Sequence, residues 1–348
     1  MRCTMTSREI VQRCIERRDP PRIAWHFEVS PIEGYVRIET DFRGVGDGVS
    51  PDFKPDVPGR TEWGHRMETL DPSGEGVGEP RDNPLADGWD KLDTYCWPDF
   101  RNEARYAGLD QAAARGHADG KYVYGVIPSL MLLPASLRGM ENWFMDHVVA
   151  EDHLARLLRG ILDIRLLLIE RYHRAGVDGV ITYDDMGTGE RTLISPEQFR
   201  RLYFPPYKAT CDALHDRGMH LLHHCCGQVR DFMPLFIEAG CDVIQLDQPR
   251  LMGIDWLAEH CGGKICFWNC VDIQATLPYG DPAAIDDEAR RQVEKLGAFG
   301  GGFMVKAYQQ PNSLRFTRRA FQAMVAAFHR YGDPNNLSPL DDIAGETV

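Results

Sequence analysis

The chain has 348 residues, 43% of them hydrophobic, with 39 basic and 52 acidic side chains and a formal charge of −13. So ordinary a composition excludes a disordered or fibrous chain, and an acidic balance without Lys/Arg blocks excludes nucleic-acid and anionic-membrane partners, because affinity for polyanions comes from clustered positive charge. No run approaches the roughly 18 apolar residues of a membrane span, and the residues after Met1 turn polar at once, so the expectation is a cytoplasmic protein.

The first periodic segment, Ser7 to Arg18, carries Ile10, Val11 and Ile15 at helical spacing behind a Thr6-x-x-Glu9 capping box. A strand-like run follows from Arg22 to Ser30. Residues 31–120 are rich in Gly, Pro and Asp without sustained period and predict a long irregular excursion or lid, not a second core. Its Gly44-Val-Gly-Asp-Gly48 bridges no strand and helix and is loop glycine.

From Lys121 short apolar runs alternate with amphipathic helices. The runs are Tyr122–Ile127, Val177–Tyr183, His220–His224, Asp242–Leu246, Lys264–Trp268 and Gly302–Val305. The helices include Glu151–Ala175 and Pro196–Arg217, the latter opened by a Ser195-x-x-Gln198 capping box and closed by Gly218. Strand alternating with helix predicts a parallel sheet. With seven strands in view and one hidden in the irregular region, the expected fold is α/β, a (β/α)8 TIM barrel as one domain over 1–332, with a doubly wound open sheet as the alternative. Residues 333–348 read as a loosely ordered tail.

In such a barrel the site lies at the C-terminal strand ends. The residues closing the runs are unusually polar: His26 and Glu28, Asp184 and Asp185, His224 to Cys226, Asp247, Cys270, and Lys306 with Tyr308 and Gln309. In a strand His224 and Cys226 share one face and His223 and Cys225 the other, so the first pair, turned to the mouth, sets imidazole beside thiolate as zinc requires. Cys270 is the nearest further thiol at the proper end of a strand and completes the expected metal set of His224, Cys226 and Cys270. Cys241, Cys261 and Cys266 fall before or inside strands and are assigned to packing. Asp184, Asp185 and Asp247 are the candidate acid/base carboxylates, with alternation letting only one of the adjacent pair face the pocket. His26, Glu28, Trp143, Tyr308 and Gln309 are candidate substrate contacts.

The stretch Gly176–Gly240, with its His-x-Cys-Gly motif at 224–227, resembles the uroporphyrinogen decarboxylase superfamily, and within it the corrinoid-dependent methyltransferases. Supporting pieces run from Thr6-Ser-Arg-Glu9 through Glu62-Trp-Gly64, Pro84-Leu-Ala-Asp87 and Asp272-Ile-Gln274 to Gly301-Gly-Phe303, so the resemblance covers roughly residues 5 to 332. It implies a (β/α)8 barrel in which a His-x-Cys pair, here His224 and Cys226, binds zinc. Asp247 matches the acidic zinc ligand of the similar methionine synthase barrel. The final-strand Cys of those enzymes is missing, since this chain reads Lys306-Ala-Tyr-Gln-Gln-Pro311. The Arg-Gln-Ala-Gly-Arg signature of true decarboxylases is also missing, where Ile23-Ala-Trp-His-Phe-Glu28 stands instead, which argues against uroporphyrinogen as substrate.

The resemblance implies a zinc-dependent methyltransferase moving a methyl group between a small methoxylated or thiol substrate and a methyl-corrinoid carried by a separate corrinoid protein, with O-demethylation favoured. A decarboxylase-like lyase acting on a small acid, or a non-catalytic binding barrel, are the alternatives. A homodimer is a further expectation.

Overall fold

The structure is a computed structural model and describes residues 5–28, 39–69, 78–308, 314 and 316–334. Eight strands form one sheet: β1 (Ala24–His26), β2 (Phe42–Gly44), β3 (Tyr122–Val126), β4 (Gly179–Asp185), β5 (His220–Cys226), β6 (Val243–Gln245), β7 (Cys266–Asn269) and β8 (Phe303–Lys306). Their order is β1-β8-β7-β6-β5-β4-β3-β2, and all seven ladders are parallel. The result is a nearly closed (β/α)8 barrel. The eighth strand, β2, lies inside the segment that reads as irregular.

The barrel closes between β1 and β2 in an unusual way. The chain descends beside β1 as an antiparallel bridge between His26 and Thr40, with Phe27 N donating to Glu39 O at 2.8 Å and Asp41 N to Trp25 O at 2.9 Å. It bends at Asp41 and climbs again as β2 along β3. Asp41 holds the bend: its buried carboxylate accepts from Arg22 at 2.7 Å, Ser7 Oγ at 2.6 Å and Trp25 N at 3.0 Å.

Strand alternation separates two cores. Ala24, Phe42, Tyr122, Tyr124, Ile181, Leu222, Val243, Cys266, Trp268 and Met304 fill the lumen, where Ile10, Val11, Cys14 and Ile15 of helix α1 (Ser7–Glu16) join them. Cys14 O accepts from Gly302 N and Arg8 N donates to Gly120 O, so α1 plugs the N-terminal end of the barrel and leaves the other end open. The opposite strand faces, including Trp25, Val180, Leu221, Ile244, Phe267 and Val305, pack outward against the helices.

Two expectations change in detail. Residues 31–120 contain, besides β2, a small hairpin (Arg66–Glu68 with Glu79–Arg81) and helix α2 (Leu109–Ala118), whose short, Ala-rich sequence lacks a wide apolar stripe. The helix expected over Pro196–Arg217 breaks at Tyr203 into Pro196–Leu202 and Phe204–His215, because Pro205 and Pro206 lack the N–H groups that would continue it. Among the described residues no helix is long and apolar enough to cross a membrane.

Candidate functional site at the barrel mouth

β4 and β5 pair over seven residues, with Asp185 opposite Cys226 and Tyr183 opposite His224. All four point into the lumen, since Ile181 and Leu222 of the same faces lie in the inner core. One ligand atom each from Asp185, His224 and Cys226 lie within 4.8 Å of one another. His224 Nε2 is 3.3 Å from Cys226 Sγ and 3.4 Å from Asp185 Oδ1. Zinc bonds of about 2.0 Å to nitrogen and oxygen and 2.3 Å to sulfur put tetrahedral ligand atoms roughly 3.3–3.5 Å apart. The residues therefore fit a small divalent cation.

The protonation pattern fits too. His224 Nδ1 bonds Gln245 Oε1, which also accepts from Lys306 Nζ at 3.3 Å, while Gln245 Nε2 donates to Asp247 Oδ1 at 2.7 Å. The amide oxygen therefore faces the imidazole, Nδ1 of His224 carries a proton, and Nε2 faces Cys226 and Asp185. Although burial lowers the imidazole's pKa, Asp185 and Asp247 outweigh it and raise it, and a cation at Nε2 would take the place of the proton they favour there. Burial, with Asp185 and Asp247 nearby, pushes the Cys226 thiol up. A cation between the three donors would reverse that direction, because a coordinating thiol ionises.

Asp247 is buried 3.6 Å from Lys306. Burial raises its carboxyl, but the Lys306 ammonium, His224 and the bonds from Gln245 and Cys270 outweigh it and hold the group below the ordinary carboxylate range. Asp247 and Lys306 thus form a fixed ion pair beneath the site.

Several sequence candidates sit elsewhere. Cys270 is fully buried with Sγ 3.5 Å from Asp247 Oδ1 and 3.6 Å from Asp247 O, so it supports Asp247 and lies outside the donor cluster; Asp185 stands in the third place expected for it. Asp184 is no mouth residue: strand alternation turns it outward, where its carboxylate accepts from Ser129 Oγ, Tyr207 OH and Met131 N and lies 3.6 Å from His223. Burial raises this carboxyl, and those partners together draw it well below its usual value. Trp143 is likewise no substrate wall. It is carried by the helix Met140–Val149, buried in the helical layer with Nε1 bonded to Tyr203 OH at 3.1 Å.

His26 is in the lumen, stacked on Phe42 and Trp268 at 5.3 and 5.6 Å, and Glu28 is exposed beside it at 3.5 Å. Tyr308 packs edge-on against Phe316, and Gln309 lies outside the described residues. Sequence reasoning passed over Gln245 and Tyr183. The available signal was their period: Gln245 is two residues before Asp247 and Tyr183 two before Asp185, each on the same face of its strand.

The family model of uroporphyrinogen decarboxylase (URO-D) matches residues 118–307, more than half of the chain and every strand from β3 to β8. The chain belongs to that family. Its fold is similar to that of a methyltransferase from Methanosarcina mazei, with 13% identity and a TM-score of 0.66 over 93% of this chain and 98% of the other. Xylanase 10B from Thermotoga maritima is a looser match, at 9% identity and TM-score 0.46 over 93% and 98% of the two chains. No curated protein matches at the level of sequence.

Proposed function

We propose that this chain is a zinc-dependent methyltransferase that moves a methyl group between a small methoxylated or thiol substrate and a corrinoid carried by a separate protein, working in the O-demethylating direction. The observation that carries the proposal is the convergence of Asp185, His224 and Cys226 at the open end of the barrel, with Nε2 of the imidazole facing the other two donors. Membership of the URO-D family and a fold shared with a methyltransferase support it.

Three protein donors leave a coordination position for substrate, as catalytic zinc sites do. Bound there, zinc supplies Lewis acidity, which a carboxylate in place of a second thiolate leaves stronger, as suits polarising a methoxy oxygen. The protein's own residues prepare the place. Gln245 orients His224, and the Asp247–Lys306 pair provides a fixed dipole under the site that needs no rearrangement during the reaction. The Tyr183 ring, 5.5 Å from that of His224, shields one side of the imidazole. The methyl group would be received by the partner's corrinoid at the open mouth.

The test is methylation of candidate corrinoid proteins by methoxylated compounds, with zinc measured on the same preparations. About one zinc per chain, lost in His224→Ala and Cys226→Ala together with methyl transfer, is expected. Turnover of a small acid by the chain alone, without any corrinoid protein, would replace this function with a lyase.

A further inference from the structure

The helix Met140–Val149, on the connection from the C-terminal end of β3 to the helix Glu151–Arg174, is seated by polar residues and shows apolar ones to solvent. On its inner side Asp146 accepts from Arg138 Nε at 2.7 Å and from Trp89 Nε1 at 3.1 Å, His147 Nε2 is 2.9 Å from Tyr203 OH, and Asn142 Nδ2 donates to Ala86 O at 3.0 Å. On its outer side Met140, Phe144, Met145, Val148 and Val149 are 38–77% exposed, five of the eleven large hydrophobic residues exposed among the described residues. One short helix thus holds nearly half of them, whereas single exposed apolar side chains scattered over a surface are ordinary. At about 100° per residue the five fall within one half of the helix circumference, and Glu141 is the single charge among them. Phe144 is held edge-on against the buried Trp143 at 4.8 Å, so the face is anchored as well as exposed.

Large apolar residues offer on the order of 150–250 Å² each, so at these exposures the face presents roughly 500 Å², toward the upper end of what a monomer shows. We propose that it is the contact between two copies of this chain, with the two helices antiparallel about a two-fold axis passing between Phe144 and Met145. That arrangement sets Met140 over Val149 of the second copy, large against small at each end, with Phe144 against Met145 at the axis and Glu141 beside Val148. The two faces together bury roughly 1,000 Å², close to the lower bound of about 1,200 Å² for a specific interface, and the polar rim supplies the rest. A two-fold contact requires a surface complementary to itself, which a stripe apolar along its whole length satisfies, and two-fold dimers are the commonest assembly of soluble chains. A formal charge of −13 disfavours an anionic membrane as the occupant.

The experiment is sedimentation velocity of the full-length protein over a range of micromolar concentrations, where a reversible monomer–dimer equilibrium is expected. Val148→Glu should raise the dissociation constant of the dimer at least tenfold, and Met145→Glu, at the axis, should do the same. Val148→Lys should raise it less, because Glu141 of the second copy lies opposite. Both positions are more than half exposed, so the variants keep the fold of the monomer, which far-UV circular dichroism checks. A wild-type chain that is monomeric at every concentration, or a dimer indifferent to both glutamate variants, would overturn the proposal. Equal losses in Val148→Glu and Val148→Lys would overturn the antiparallel pairing. A monomer that floats with phosphatidylglycerol vesicles would make the face a membrane contact instead. None of these readouts depends on zinc or methyl transfer.

Discussion

Asp184 and Asp185 are adjacent and have unrelated roles, because a strand sends neighbours to opposite faces. Asp184, fully buried among Ser129, Tyr207, Met131 and His223, fastens β4 to the helical layer. Asp184→Asn should therefore lower unfolding free energy in urea by about 2–4 kcal/mol, the scale of breaking a buried charged network, while leaving zinc content unchanged. Gln245 acts the other way. Gln245→Leu removes the acceptor that fixes the His224 tautomer and should weaken zinc binding roughly 10–100-fold in a chelator competition, with a stability loss of about 1–3 kcal/mol from the buried groups left unpaired. Cys270→Ala should leave zinc affinity unchanged, because its thiol turns to Asp247; loss of zinc in that variant would return Cys270 to the donor set. The pair His224 and Cys226 was legible from spacing alone. The third donor was not, because strand order says which strand ends are neighbours only once the sheet is known, and Asp185 faces Cys226 across a ladder between strands about forty residues apart.

At the scale of elements, the two strand ends carrying the donors are fastened by close backbone contact as well as by the bond from Cys226 N to Asp185 Oδ1 at 3.3 Å. Gly227, at φ 85°, follows Cys226, and a Cβ there would stand 2.1 Å from Gly187 O, while Gly187 N donates to Cys226 O at 3.2 Å. Gly227→Ala must therefore push the 186–194 loop away from β5. Stability should fall by at least about 1–2 kcal/mol from the backbone conformation alone, and zinc affinity should fall with it, a coupling that chelator competition would detect. Such close approaches were invisible in the sequence, where Gly227 stands out as part of the His-x-Cys-Gly motif but nothing sets Gly187 against it.

At the opposite end of the barrel, His215 near the end of its helix bonds Asp242, which also accepts from Leu221 N at 2.8 Å. The hydrogen bond to Asp242 raises the imidazole's pKa above its ordinary value, against the effect of burial. Its stabilising contribution is therefore fully present below the unfolded histidine value near 6.5 and is lost as pH rises through the raised folded value. His215→Gln should lower the urea midpoint at pH 5.5 and make little difference at pH 8.5. An equal loss at both pH values would show that the bond matters only as a neutral contact.

Over the whole molecule, the barrel was readable from β3 onward because each strand there is a continuous apolar run set off by an amphipathic helix. The first third was not, since β1 and β2 are three residues each and β2 follows a bend held by Asp41, a contact between Arg22, Ser7 and Trp25 that no local pattern announces. That bend divides the barrel unequally. The donor cluster stands on the longest ladder among the described residues, seven paired residues between β4 and β5, whereas β1 is joined on its other side, among the same residues, by a single bridge. Amides opened by local fluctuation exchange with solvent fastest where the fewest bonds must break together. The amides of Phe27 and Asp41 should accordingly exchange orders of magnitude sooner than those of Ile181 to Tyr183, a contrast that mass-resolved deuterium uptake reads directly. His26 is carried by the loosely joined strand and His224 by the firmly joined one. Fluctuation of the barrel wall should therefore concentrate at the seam beside His26, while the three candidate donors opposite keep their spacing.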